Sequence, residues 1–214
     1  MSNMIFVIVL VLSMFSAAAG HGYLMNPAAR NSMWRFGFDN PKNYNDNELF
    51  CGGFRHHWVI NKGKCGICGD PYGAKIQPHM DGGRYAKNKL IAKTYKRGQV
   101  IEVSARLTTT HKGYFQFRIG NYDNSIPKAD KMGRLSGYLL KVVGGGDKFM
   151  LPRGARAGVY STKLQLPADL TCNRCVMQWT YRGGNNWGCD AGGCGLGHGP
   201  QETFVNCADV KITN

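Results

Sequence analysis

Gln99-Val100-Ile101-Glu102-Val103-Ser104-Ala105-Arg106-Leu107 decides the fold class. Ile101, Val103, Ala105 and Leu107 alternate with Glu102, Ser104 and Arg106, a period of two that puts one set on a buried face. Val100, Ile101 and Val103 are β-branched and suit an extended backbone. Downstream, Tyr114-Phe115-Gln116-Phe117-Arg118-Ile119 repeats the alternation. Further strands are predicted over residues 138–143, 158–166, 175–181 and 204–212. Short alternating strands without a long helical period indicate a mainly β chain, arranged as a β-sandwich. Residues 183–199 are rich in glycine and are expected to form a loop.

Upstream of residue 99 the pattern is different. Asn26-Pro27, Asn40-Pro41, Asp70-Pro71-Tyr72-Gly73 and Asp81-Gly82-Gly83 are turn signals, and residues 22–98 read as one long loop region. A loop region of that length in a compact domain implies function or covalent stapling. Cys51, Cys65 and Cys68 supply staples there, and Cys172, Cys175, Cys189, Cys194 and Cys207 follow. An even number of cysteines in an exported chain favours disulfides over zinc, although Cys65/Cys68 and Cys172/Cys175 each have CxxC spacing. Spacing alone leaves the pairing open.

Export is expected from the first residues. Residues 4–12, Met-Ile-Phe-Val-Ile-Val-Leu-Val-Leu, precede Ser16-Ala17-Ala18-Ala19-Gly20. A short apolar run ending in small residues is a signal-peptide pattern, and it falls short of the roughly 20 residues that cross a bilayer. The expected division is a signal peptide over 1–20 and one secreted domain over 21–214, with no membrane partner. The formal net charge is +14, but the basic residues are scattered and no nucleic-acid-binding motif accompanies them.

Cleavage after Gly20 would leave His21 as the first residue. An N-terminal histidine offers its α-amine and a ring nitrogen, which together close a six-membered chelate on a metal. An internal histidine cannot do this, because its backbone nitrogen is an amide. Six histidines are present: His21, His56, His57, His79, His111 and His198. His111, between the two clearest strands, is the leading partner for His21, and His198 is the second. His56 and His57 are adjacent and suit packing or the surface, and His79 lies in a loop.

These features carry a resemblance. His21-Gly22-Tyr23 behind a leader, Thr110-His111-Lys112-Gly113 at mid-chain and Gly199-Pro200-Gln201-Glu202-Thr203-Phe204 before a closing strand resemble the lytic polysaccharide monooxygenases. Cys51-Gly52-Gly53, residues 65–70 and Cys207-Ala208-Asp209-Val210 are most similar to the invertebrate type, auxiliary activity family 15, which is related to chitin-binding type 4 domains. The resemblance spans the whole mature chain and implies an immunoglobulin/fibronectin-III-like β-sandwich with a long, disulfide-stapled early loop region. It implies one copper ion in a histidine brace, with the His21 amine, a His21 ring nitrogen and a His111 ring nitrogen as ligands. Imidazole is a good copper ligand. Phe204 matches the position closing one axial side, and Thr109 stands where relatives often have a smaller residue. Gln201 and Glu202 match the region supplying a polar group beside the metal.

The implied activity is oxidative cleavage of an insoluble polysaccharide, chitin first and cellulose second, by a monomer. An external electron donor is needed, with hydrogen peroxide or dioxygen as co-substrate. Tyr23, Trp34 and Trp187 are the candidates for stacking on sugar rings, while Trp58 and Trp179 are assigned to packing. The rival readings are a non-catalytic chitin-binding or matrix protein on the same fold, a zinc protein using the same nitrogens, and a glycosidase with paired carboxylates. The pair of histidines favours the copper enzyme.

Overall fold

The computed structural model describes residues 20–214; the expected leader, apart from Gly20, lies outside the described residues. The strands are β1 (His21–Asn26), β2 (Lys93–Lys96), β3 (Val100–Thr109), β4 (Tyr114–Asn121), β5 (Tyr138–Leu139), β6 (Lys141–Val142), β7 (Phe149–Met150), β8 (Gly158–Gln165), β9 (Cys172–Arg182), β10 (Trp187–Asp190), β11 (Gly193–Leu196) and β12 (Thr203–Thr213). One sheet has the order β1-β3-β8-β6. The other has the order β2-β12-β9-β4-β5, with β7 also paired to β4. The fold is the expected mainly β sandwich.

Alternation sets the inner faces. Ile101, Val103, Ala105 and Leu107 of β3 are buried, as are Phe115, Phe117 and Ile119 of β4. They meet Trp179 and Tyr181 of β9 and Phe204 of β12 in the main core. Antiparallel sheets usually leave one face in water. Here β12 is buried on both faces from Thr203 to Val210, because the long early region lies over its outer side. Cys68–Cys207 anchors that cover to the strand, and Cys51–Cys65 closes a loop within it. Arg30 Nε and Nη2 donate to the two carboxylate oxygens of Asp209 at 2.6 and 2.7 Å, a buried bidentate pair. The remaining disulfides are Cys172–Cys175 and Cys189–Cys194, so all eight cysteines are paired.

Two expectations need correction. Residues 183–199 are not a plain loop: β10 and β11 form a hairpin, with Trp187 opposite Leu196 and Cys189 opposite Cys194. Gly188, Gly193 and Gly195 erase the strand signal, while the cross-strand disulfide supplies the order that glycine lacks. Residues 22–98 are not strand-free either. β1 pairs with β3, and β2 runs parallel to the end of β12. β1 is hidden in sequence because Gly22, Tyr23 and Leu24 are all buried, so no alternation remains. Among the described residues no helix is long and apolar enough to cross a membrane.

Candidate metal centre

His21 begins β1 and is the Cα partner of Thr109 near the end of β3. Two residues later His111 starts the turn into β4. Lys112 and Gly113 carry that turn at φ 53° and 86°. At Gly113 the left-handed backbone favours glycine, and an added Cβ would collide with the Arg182 carbonyl oxygen. The His111 backbone is held on both sides. Its N–H donates to Tyr181 Oη at 2.7 Å, and its carbonyl accepts from the Gly184 N–H at 2.6 Å. The Tyr181 hydroxyl in turn donates to the Lys112 carbonyl at 2.9 Å. Burial pushes the Tyr181 phenol up to about 12, and the neighbouring Glu202 carboxylate adds to the rise.

Both imidazoles have a carboxylate at hand. His21 Nε2 lies 3.2 Å from Glu48 Oε1. His111 Nδ1 lies 3.0 Å from Glu202 Oε2. That second contact has ion-pair distance but lacks hydrogen-bond geometry, so the buried His111 Nδ1 has no hydrogen-bond partner. Phe204 is 1% exposed. Its ring stacks on Phe50 at 6.1 Å and on Tyr181 at 5.7 Å, and its centroid is 6.4 Å from that of His21.

Gly20 occupies the space between these groups. Its N–H donates to Glu202 Oε2 at 2.8 Å. A Cβ on Gly20 would lie 3.1 Å from His111 Nδ1, 3.2 Å from Glu202 Oε2 and 3.2 Å from Phe204 Cε2. The cradle thus has one imidazole nitrogen, one carboxylate and one apolar wall converging on a point next to the His21 backbone nitrogen. Among the described residues no group of three or more His, Cys, Asp or Glu side chains could hold a metal. A centre here needs a donor that is not a side chain, and a freed His21 amine is such a donor. Two imidazoles and an amine form a nitrogen set suited to copper.

The other expected site residues are placed as follows. Gln201 does not face the cradle. Its side chain is fully buried, with Nε2 donating to the Asn186 and His198 carbonyls and Oε1 accepting from the Asn186 N–H, so it ties down the β10–β11 hairpin. Tyr23 is 8% exposed with Arg35 over its ring, which removes it as a stacking platform. Trp34 is half-buried, with Arg35 4.4 Å from its ring centre and Tyr44 edge-on. Trp187 is 72% exposed. His198 pairs with Asp190 inside the hairpin, and buried His79 pairs with Asp70, so neither joins the cradle. Trp179 is in the core, whereas half-buried Trp58 donates its Nε1–H to the Gln201 carbonyl at 2.7 Å. Sequence reading missed Glu48, which no motif marks, and Tyr181, which reads as an ordinary inward strand residue.

Known proteins resemble the chain over most of its length. The family model described as lytic polysaccharide mono-oxygenase, cellulose-degrading, matches residues 21–210. A solved lytic polysaccharide monooxygenase of auxiliary activity family 15 from Thermobia domestica, in the Cu(I) state, is 42% identical with a TM-score of 0.81; the match covers 90% of this chain and 98% of that one. A chitin binding domain from Burkholderia pseudomallei, at 14% identity and TM-score 0.47, covers 91% of this chain and is itself covered in full, at 100%. No curated protein matches the chain. The chain belongs to the lytic polysaccharide monooxygenases, and within them to the type of auxiliary activity family 15. It is a copper-dependent polysaccharide monooxygenase, an oxidoreductase whose cofactor is copper.

Proposed function

We propose that this enzyme is secreted, that residues 1–20 are removed as a signal peptide, and that the 21–214 domain holds copper through His21 and His111 and acts on chitin. The observation supporting the ligand set is the cradle around Gly20, where His111, Glu202 and Phe204 converge beside the His21 nitrogen. Removal of Gly20 turns that nitrogen from an amide into a primary amine. Bound copper supplies a centre that cycles between Cu(II) and Cu(I) and activates hydrogen peroxide or dioxygen after reduction by an external donor.

The surrounding residues orient and shield. Glu48 Oε1, 3.2 Å from His21 Nε2, is placed to hold the proton on that nitrogen, which leaves the lone pair on Nδ1, the ring nitrogen able to chelate with the amine. Glu202 loses the Gly20 N–H as a donor on cleavage, and its carboxylate then faces the centre, free to accept a hydrogen bond from the incoming oxidant. Phe204 has no donor atom and would wall its side of the centre against water. Thr109, cross-strand from His21, borders the centre from β3.

The substrate surface is supported by the hairpin. Trp187 and its partner Leu196, 72% and 57% exposed, form an apolar ridge on a rigid stapled element. Its base is fastened beside His111 through Gly184. An exposed indole suits stacking on a pyranose ring. The choice of chitin over cellulose follows the likeness of the cysteine motifs to the invertebrate and chitin-binding type 4 proteins. Mass spectrometry of products from chitin and from cellulose, with copper and a reductant, tests it. Oxidised chito-oligosaccharides are expected; oxidised cello-oligosaccharides alone would overturn the substrate, and no oxidised product from either would overturn the proposal.

A further inference from the structure

The outer face of the larger sheet carries a second feature, away from the metal cradle. Register aligns Tyr114, Arg182 and Thr203 in one row across β4, β9 and β12. Gln116, Thr180 and Val205 form the next row, and Arg118, Gln178 and Cys207 the third. Their sequence neighbours Phe115, Phe117, Tyr181 and Phe204 point into the core, so these rows must point out. Segments bearing Trp58 and Met132 arch over the rows and leave a cleft of about 270 Å³.

Three guanidinium groups, Arg118, Arg134 and Arg182, line this cleft. The Nε atoms of Arg118 and Arg182 are buried and have no hydrogen-bond partner. Such donors are costly to leave unmade. Two carboxylates stand nearby, each bonded to a cleft residue other than Arg118 and each favouring the charged form of Arg118. Asp130 accepts from Arg134 Nε at 2.7 Å, and Asp147 accepts from Gln116 Nε2 at 2.8 Å. Burial, with Arg134 next in weight, pulls the Arg118 guanidinium below its usual range, which an added anion would reverse. Arg182 Nη2 is turned to the Gly199 carbonyl, and Arg118 Nη1 to that of Leu135 at 3.4 Å. Trp58, Tyr114 and Met132 supply apolar wall, and Gln116, Gln178 and Thr180 on the sheet floor add polar groups.

We propose that this cleft binds a small aromatic carboxylate, its carboxyl group on Arg118 and Arg182 and its ring against Trp58, Tyr114 and Met132. Planar guanidinium forks match a carboxylate in geometry, and the volume is at the small end of ligand pockets. The site backs onto the start of β12 beside Glu202, since Thr203 lies between Glu202 and Phe204 and Trp58 bonds the Gln201 carbonyl. It is separate from the metal cradle and does not rest on the substrate assigned above.

The test is calorimetric titration of the copper-loaded enzyme with 4-hydroxybenzoate, phenol and inorganic phosphate. Expected is saturable one-to-one binding of 4-hydroxybenzoate, weakened at least about tenfold in Arg118→Gln and in Arg182→Gln, with unchanged copper EPR. Thermal melts establish that each variant is folded; if Arg118→Gln does not fold, Arg182→Gln decides. Four results would overturn the proposal. They are no saturable binding, phenol binding as tightly, phosphate binding as tightly, or full affinity in the folded variants. A copper EPR change on titration that persists in Arg118→Gln would place the ligand on the metal and overturn it equally.

Discussion

His21 and Thr109 face each other across the antiparallel pair of β1 and β3. Thr109 stands two residues before His111, so the register of this one pair brings together two histidines ninety positions apart in the chain. The carbonyl and N–H of His111 are then locked by Gly184 and Tyr181, which leaves the imidazole little freedom to swing away. The first prediction concerns the start of β1. Protein beginning at His21 should bind Cu(II) tightly, and protein retaining Gly20 should bind more than about 100-fold more weakly, since loss of an outer-shell group alone costs 10–100-fold. Calorimetry on N-terminally sequenced samples measures this, and equal affinities would remove the amine from the ligand set.

His111→Ala should abolish oxidised-sugar production and change the copper EPR spectrum. The fold should persist, because the ring lies at the edge of the core and the backbone bonds to Tyr181 and Gly184 do not involve it. Product mass spectrometry and a thermal melt on the same sample check both halves.

Glu48→Ala should weaken copper binding about 10–100-fold, the range for losing a carboxylate behind a ligating histidine. Glu48→Gln keeps an acceptor oxygen and should restore most of the affinity. A purely structural role for Glu48 would instead lower the melting temperature without altering the EPR spectrum.

Tyr181→Phe removes two hydrogen bonds from the His111 turn and should cost about 1–3 kcal/mol. The sign of its pH dependence follows from the raised phenol. The folded state prefers the neutral form, so the contribution is complete below the ordinary tyrosine pKa of ~10. It fades as pH rises from there through about 12. Thermal melts of the metal-free protein between these limits should show an alkaline loss that Tyr181→Phe lacks.

The hairpin should be separable from the copper chemistry. Trp187→Ala should reduce retention on chitin while copper affinity stays unchanged. Replacing both Cys189 and Cys194 with serine should do the same at a global cost of about 2 kcal/mol at most, because the loop they close is short. Binding isotherms on solid chitin and melting curves distinguish this from general unfolding.

Much of the molecule was legible in the residues alone. The period of two in residues 99–107 and 114–119 located β3 and β4, because alternation is a local property that survives any tertiary arrangement. The even cysteines in an exported chain indicated disulfides, and the place of His111 between two strands marked it as the partner for His21. Pairing was another matter. Cys68 reaches Cys207 over a separation of 139 residues, and only the packing of the early region onto β12 makes that contact. The same closure buries Tyr23 beneath Arg35 and leaves Trp187 in solvent, although sequence favoured Tyr23 over Trp187 as a stacking platform. It directs Glu202 to His111 and turns Gln201 toward the hairpin, since consecutive side chains at a strand's edge point opposite ways. Sequence determined the alternating strands, the presence of staples and the two candidate histidines, because those follow from residue type and nearest neighbours. Tertiary structure decided which carboxylate meets which imidazole and which arginines share a cleft, because those depend on register between strands far apart in the chain.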